Sequence, residues 1–289
     1  MALINSYYFI KIGLNGMKYY SMLKQLFDGI ELTAEDLLHL ESFQIQYLPE
    51  RVPQKEFSIL LREFPFVKRF LISKHPPIKD FINGVFKENE KINDKDLINE
   101  HCDKLMWEIA DLIVYNKYPE IYDDKVNFTW DISEIIPIEL LKEKVVADVG
   151  AGSGMLAFLL AKYARTVYAI EPITSFRHFI RERANKEKCS NIYAIDGFLD
   201  SIPFPENSFD ILFTSNAIGW NLEKELQEIE RVVKPNGQAI HLMRVNDNET
   251  ENSFHERLIS SDWNYDFYKY QDAGGLKLKY SKTINLMQE

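Results

Sequence analysis

The sequence predicts an α/β protein: a doubly wound, Rossmann-like, seven-stranded and mostly parallel sheet, preceded by a mainly helical region. Three observations carry this reading. First, Val145-Val146-Ala147-Asp148-Val149-Gly150-Ala151-Gly152-Ser153-Gly154 runs from β-branched residues into three glycines at alternate positions, and the helical pattern Met155-Leu156-Ala157-Phe158-Leu159-Leu160 follows at once. A short apolar run is how a buried parallel strand reads, and strand, glycine turn and helix form the first half of a nucleotide-binding βαβ unit. Second, from Val145 to Met243 short apolar runs alternate with amphipathic helical patterns, as a parallel sheet with crossover helices requires. Third, residues 1–130 show helical periodicity without comparable strand runs. The expected organisation is an N-terminal helical region over 1–130 and a nucleotide-binding domain over 131–289.

In the first region, Thr33-Ala34-Glu35-Asp36 looks like a capping box opening a helix through Leu37, Leu38 and Leu40. The periodic stretch Phe57, Leu60, Leu61, Phe64 is broken by Pro65; Phe66, Val67, Phe70 and Leu71 resume it until Pro76-Pro77 stop it. One long helix is predicted from Asp94 to Tyr115, on the spacing of Leu97, Ile98, Leu105, Ile109, Leu112 and Ile113. Tyr118, Tyr122, Phe128 and Trp130 then crowd a segment without a clear period.

In the second region, Pro137-Ile138-Glu139-Leu140-Leu141 suits a short helix with proline near its first turn. After the Val145 strand come the strand Thr166–Ile170 ending on Glu171, a helix from Ser175 to Lys188, and the strand Asn191–Ile195. The proline-punctuated loop Ile202–Asp210 feeds the strand Ile211–Thr214, and Asn221 is placed to cap a helix carrying Leu222, Leu226, Ile229 and Val233 on one face. Pro235-Asn236-Gly237 turns into the strand Gln238–Met243. A polar linker, Asn246–Asn252, leads to a helix around Phe254–Ile259, and the strand-like runs Tyr265–Tyr270 and Leu276–Leu286 flank Gly274-Gly275 as a hairpin.

Bulk properties narrow the partners. The chain has 289 residues, 46% of them hydrophobic, enough for one large or two small domains. The net charge of −10 is spread over both halves, so no basic face for a phosphate backbone is expected. Cys102 and Cys189 form neither a disulfide framework nor a metal site, which suits a reducing compartment. The start lacks a signal-peptide pattern, and no apolar run approaches the ~20 residues of a membrane span. The expectation is a cytoplasmic protein without membrane or metal partners and without a strong nucleic-acid signal, whose oligomeric state the sequence leaves open.

The glycine spacing distinguishes between cofactors. A dinucleotide fingerprint G-x-G-x-x-G starting at Gly150 needs its third glycine at Met155; the third here is Gly154, which disfavours NAD(P). Glu171 lies close to the ~20-residue offset at which a carboxylate meets ribose hydroxyls. The run Asp148 to Gly154 together with Glu171 resembles motif I and the acidic loop of class I S-adenosylmethionine (SAM) methyltransferases. Ile202-Pro203-Phe204-Pro205-Glu206-Asn207-Ser208-Phe209-Asp210 and Arg231-Val232-Val233-Lys234-Pro235-Asn236-Gly237 resemble two further stretches of the small, methyltransferase type 11-like subgroup. The resemblance covers roughly residues 131–289 and implies SAM as cofactor and S-adenosylhomocysteine as product. It also implies that Asp148, Gly150, Ala151, Gly152, Ser153 and Gly154 lie against the methionine and ribose portions. Glu171, beside Pro172, would hold the ribose; Asp196, Gly197 and Phe198 would lie by the adenine; and Ser215 and Asn216 would complete the cofactor side at the end of the fourth strand.

Two departures stand out. Counting back from Pro203, the subgroup's adenine-contacting Asp is replaced by Phe198, with Asp196 and Asp200 on either side. After the fourth strand, where many relatives carry a histidine pair, this chain reads Asn216-Ala217-Ile218-Gly219-Trp220. No catalytic residue is assigned. Tyr118, Tyr122 and Trp130 read either as an aromatic seam or as π faces for a cationic group, and Arg244 either as a partner for an anionic acceptor or as a surface ion pair. His101, His178 and His241 are isolated in sequence and read as structural. The leading expectation is methyl transfer to a small molecule. The rivals are a SAM-binding module that no longer methylates, and a protein or RNA methyltransferase using the helical region for docking.

Overall fold

The computed structural model describes residues 23–27, 29–125, 128–245, 253–272 and 275–285. The chain divides into two compact units, one within Ser6–Lys125 and one built on Val126–Glu289.

In the first unit the described helices of seven residues or more are α1 (Gln54–Glu63), α2 (Pro65–Lys74), α3 (Ile78–Glu88), α4 (Lys95–Glu108), α5 (Ala110–Lys117) and α6 (Pro119–Lys125). Pro65 ends the α1 pattern and starts α2, because proline lacks the N–H that a continuing helix needs and is tolerated in a first turn. Leu37, Leu60, Leu71, Ile82, Leu105 and Ile113 meet in one apolar core. Two expectations are corrected. The single helix over 94–115 is two, α4 and α5, separated at Ile109 (φ −120°, ψ 18°), whose N–H bonds back to the Trp107 carbonyl. The break suits burial: Ala110, Leu112, Ile113 and Val114 in α5 are all buried, so α5 is enclosed on more than one side and does not extend the α4 stripe. The Thr33 capping box is present but opens a 3₁₀ helix, Ala34–His39, with Leu40 outside it. The aperiodic aromatic segment is helical over α6.

The second unit is the sheet. Its strands are β1 (Val145–Val149), β2 (Thr166–Ile170), β3 (Ile192–Ile195), β4 (Phe209–Ser215), β5 (Val233–Val245), β6 (Asp266–Asp272) and β7 (Gly275–Thr283), in the order β3-β2-β1-β4-β5-β7-β6. Strands β3 to β5 on that list run parallel, and β7 is antiparallel to both β5 and β6. The helices between them are α7 (Met155–Ala161), α8 (Thr174–Glu187), α9 (Leu222–Val232) and α10 (Ser253–Ile259). Both faces of the central strands are covered. Ala147 and Val149 enter one apolar cluster and Val146 the other, the period-two alternation that buries a parallel strand on both sides.

The short helix predicted after Pro137 is a 3₁₀ turn, Ile138–Leu140. Strand β5 begins earlier than expected: Val233 pairs with Phe209, and the register resumes at Ile211 with Gln238 after an irregularity that contains Pro235-Asn236-Gly237. The linker Asn246–Asn252 and Gly274 lie outside the described residues, but the hairpin register they predict is present, with Asp272 opposite Gly275. Because β1 has β2 on one side and β4 on the other, the chain reverses its winding direction there. Ligands of open α/β sheets bind at such a switch point, beyond the carboxyl ends of the strands.

Candidate functional site

The carboxyl end of β1 is built from the glycine turn. Gly150, Gly152 and Gly154 all have positive φ (72°, 53° and 87°), a region that side chains rarely adopt. Gly150 is also sterically constrained, since a Cβ there would lie 2.3 Å from the Ala217 Cβ, so the ends of β1 and β4 meet at this glycine. The N–H groups of Gly150 and Ala151 donate to the Ile170 carbonyl at 2.8 and 3.3 Å, which ties the turn to the end of β2. Ser153 is buried within the turn.

Two acids lie at these ends. Glu171 follows β2 directly and is buried; its two carboxylate oxygens accept from the backbone N–H of Gly152 at 2.8 Å and of Ile173 at 2.9 Å. A carboxylate can accept about four hydrogen bonds, and these two fix its plane against the glycine turn. Asp148 is 1% exposed, and neither of its carboxylate oxygens has a hydrogen-bond partner. Burial pushes its pKa up to about 7; the backbone N–H of Ala157, short of hydrogen-bond geometry, offsets part of the rise, and the nearby charge of Glu171 adds to it. A buried carboxylate without a partner is costly in a folded chain.

The remaining expected residues fall along the same edge. Pro172 is half-buried, and its carbonyl accepts from Arg177 at 2.6 Å. Gly197 is buried, and a Cβ there would lie 2.6 Å from Pro203 Cδ and 2.9 Å from Ile170 Cγ2. Phe198, the next residue, is 40% exposed. Asp196 has a 70% exposed side chain, paired with Arg177 at 3.0 Å. At the end of β4 the Ser215 hydroxyl accepts from Asn216 Nδ2 at 3.2 Å. The Asn216 Oδ1 accepts from the Arg244 N–H at 2.8 Å, so Asn216 (φ 54°) splices β4 to β5.

Two residues that order this edge were missed by sequence reasoning. The buried Arg177 guanidinium donates to the Glu171 carbonyl (2.8 Å), the Pro172 carbonyl, the Thr174 hydroxyl (3.0 Å) and Asp196 Oδ1, joining the ends of β2 and β3. Glu225, also buried, accepts from the N–H groups of Gly219 (2.6 Å), Trp220 (3.0 Å) and Asn221 (2.9 Å), and burial raises its pKa. This corrects the expected role of Asn221. It occupies the N-cap position of α9, but its side chain does not cap the helix; the carboxylate one turn inside does. The only sequence signal for either residue was a charge on an otherwise apolar helix face.

The other flagged residues lie elsewhere. Trp130 packs edge-on against Tyr270 at 5.6 Å within the sheet unit, whereas Tyr122 packs against Tyr115 at 5.2 Å in the helical unit, where the Tyr118 hydroxyl donates to the Glu31 carbonyl. The Arg244 guanidinium donates to the Thr129 hydroxyl. His241 is buried beside the Thr214 hydroxyl (2.9 Å), and burial lowers its pKa to about 3. His101 lies 3.4 Å from Glu56, and His178 pairs with Glu182 one turn along its helix. Among the described residues no three His, Cys, Asp or Glu side chains cluster as metal ligands, and no helix is long and apolar enough to cross a membrane.

A glycine turn with an acid at the end of the next strand, at the switch point of a doubly wound sheet, defines a Rossmann-like nucleoside-binding domain. Residues 147–241 match a family model described as a methyltransferase domain. A putative methyltransferase of Dictyostelium discoideum is 30% identical over 121 residues, 40% of this chain and 44% of the relative. An uncharacterized methyltransferase of Bacillus subtilis is 27% identical over 131 residues, 44% of this chain and 52% of the relative. A tRNA U34 carboxymethyltransferase of Ruthia magnifica is 32% identical over 142 residues, 46% of this chain and 44% of the relative. The chain thus spans about half the length of the curated relatives it matches. A solved SAM-dependent methyltransferase from Aquifex aeolicus covers 59% of this chain and 92% of its own, at 22% identity and a TM-score of 0.42. By the family match, residues 147–241 of the sheet unit resemble a methyltransferase domain, and the cofactor this implies is SAM.

The residues present fit that cofactor. Asp148 offers a buried carboxyl group that a ligand's ammonium would hold in its charged form, and the missing Cβ atoms of the turn let a ligand approach the backbone closely.

Proposed function

We propose that this chain transfers the methyl group of SAM to a small-molecule acceptor, with the helical unit serving acceptor recognition. The observation that carries the reading is the buried, unpartnered carboxylate of Asp148 beside the glycine turn. In this reading Asp148 takes the ligand's ammonium, Glu171 accepts from the ribose hydroxyls, and Gly150 to Gly154 give close passage along the backbone. Pro172, Gly197 and Phe198 then line the base side, and Ser215 and Asn216 close the far side.

When bound, SAM supplies an already activated methyl group, so the protein's work is positioning and exclusion of water. The residues described above suit that work. Arg177 and Glu225 hold the strand ends and the following loop through several hydrogen bonds each, and Glu171 is oriented before any ligand arrives. A small acceptor is favoured over a nucleic acid by the net charge of −10, which opposes approach to a phosphate backbone.

Calorimetric titration of the full chain with SAM and S-adenosylhomocysteine, with NADH as control, tests the cofactor half of the proposal. Micromolar binding of the first two and none of NADH is expected; absence of both would overturn it. Transfer of a labelled methyl group to a metabolite pool tests the other half. The replacement of an acid by Phe198 favours a second reading, a SAM-binding module without turnover, and saturable binding with no label transfer would select it.

A further inference from the structure

We propose that this chain recognises the base of its cofactor by stacking on Phe198 and has no carboxylate directed at the exocyclic amine, so its affinity is insensitive to that amine. This rests on the reading of the site as a SAM site and concerns its base subsite. The strand order fixes where the base lies. The glycine turn is at β1 and the ribose acid Glu171 is at the end of β2, so a nucleoside extending away from β1 reaches the end of β3 next.

The chain holds that end in a defined place. Gly197 packs against Ile170, the last residue of β2, at a distance no Cβ would permit, and Arg177 joins the Glu171 and Pro172 carbonyls to Asp196. Phe198 follows Gly197 directly at this end of the sheet and is 40% exposed. The two acids flanking it are engaged elsewhere. Asp196 is the ion-pair partner of the buried Arg177, and releasing it would strip that guanidinium of its carboxylate. Asp200 pairs with Lys224 at 3.6 Å and accepts from Asn221 Nδ2 at 3.4 Å, on the side facing α9. An aromatic ring offers a base its π face, which every purine shares, whereas a buried carboxylate reads a particular donor.

The test compares S-adenosylhomocysteine with its 6-deamino analogue, in which the purine carries hydrogen in place of the amine and keeps the ring nitrogens. Titrated into the full chain, the two ligands are expected to bind within about threefold of each other. A hydrogen bond from the amine to a carboxylate would cost the analogue about tenfold or more, and a loss of that size would overturn the proposal. Phe198→Ala is expected to weaken both ligands equally, by about tenfold; unequal weakening would also overturn it, as would unchanged affinity. Phe198→Asp is expected to create a preference for the amine-bearing ligand. Circular dichroism of both variants shows whether the fold is retained. If the unmodified chain binds neither ligand, the SAM reading itself fails, an outcome distinct from strong discrimination by a chain that does bind.

Discussion

Each of the two units buries an aspartate almost completely, and the two are treated oppositely. Asp111 in the helical unit and Asp148 in the sheet unit are both 1% exposed. Asp111 accepts from the Arg51 guanidinium at 2.8 Å, and both side chains of that pair are buried. Asp148 has no hydrogen-bond partner on either oxygen. A paired buried acid is part of how a unit is held together, and an unpaired one at the mouth of a sheet marks where something else is meant to bind.

The largest effect expected from this contrast is on the stability of the helical unit. Asp111→Ala leaves Arg51 buried without its carboxylate and is expected to destabilise by about 3–5 kcal/mol, read as a lowered denaturation midpoint. An unchanged midpoint would mean that the pair is dispensable. The double replacement Arg51→Met with Asp111→Leu sharpens the point, because an apolar pair of similar volume removes both charges together and is expected to be close to neutral.

A smaller, pH-dependent effect is expected at Asp148. Its pKa of about 7 in the folded chain lies above the ordinary value of 3.8. Between those values the folded state keeps a proton that the unfolded state has released, so the ligand-free protein loses stability as pH rises from about 4 through 7. Asp148→Asn removes that component of the slope. Thermal melts across this range check it, and an identical pH course in the variant would contradict the assignment.

How much was legible follows from the kind of signal each feature leaves. The β1 and β2 strands and the glycine turn were readable because buried parallel strands and positive-φ turns admit few residue types. The bounds of β2, Thr166–Ile170, agree with the expectation residue for residue. The long helix over 94–115 was misread because both of its pieces share one apolar spacing, and the break at Ile109 comes from tertiary packing with no glycine or proline to announce it. Helix α3 carries Ile78, Ile82 and Val85 at helical spacing but follows Pro76-Pro77, which read as an end and not as a beginning. In the site, Asp148 and Glu171 were visible as motif residues. The unpaired state of one and the backbone bonds of the other required coordinates, as did the clamps made by Arg177 and Glu225. Those depend on which carbonyls and N–H groups converge in space, and sequence spacing does not encode that.

The most direct test of the central claim, that the unpartnered carboxylate is the seat of a cationic ligand group, is one pair of titrations. S-adenosylhomocysteine, which retains the ammonium, is titrated calorimetrically into the unmodified chain and into Asp148→Asn, with a thermal melt of each ligand-free protein alongside. The account predicts that the variant binds at least about tenfold more weakly while melting at the same temperature or higher, since a costly buried charge has been removed. Equal affinity in the two proteins, or a variant that loses stability without losing affinity, would contradict it.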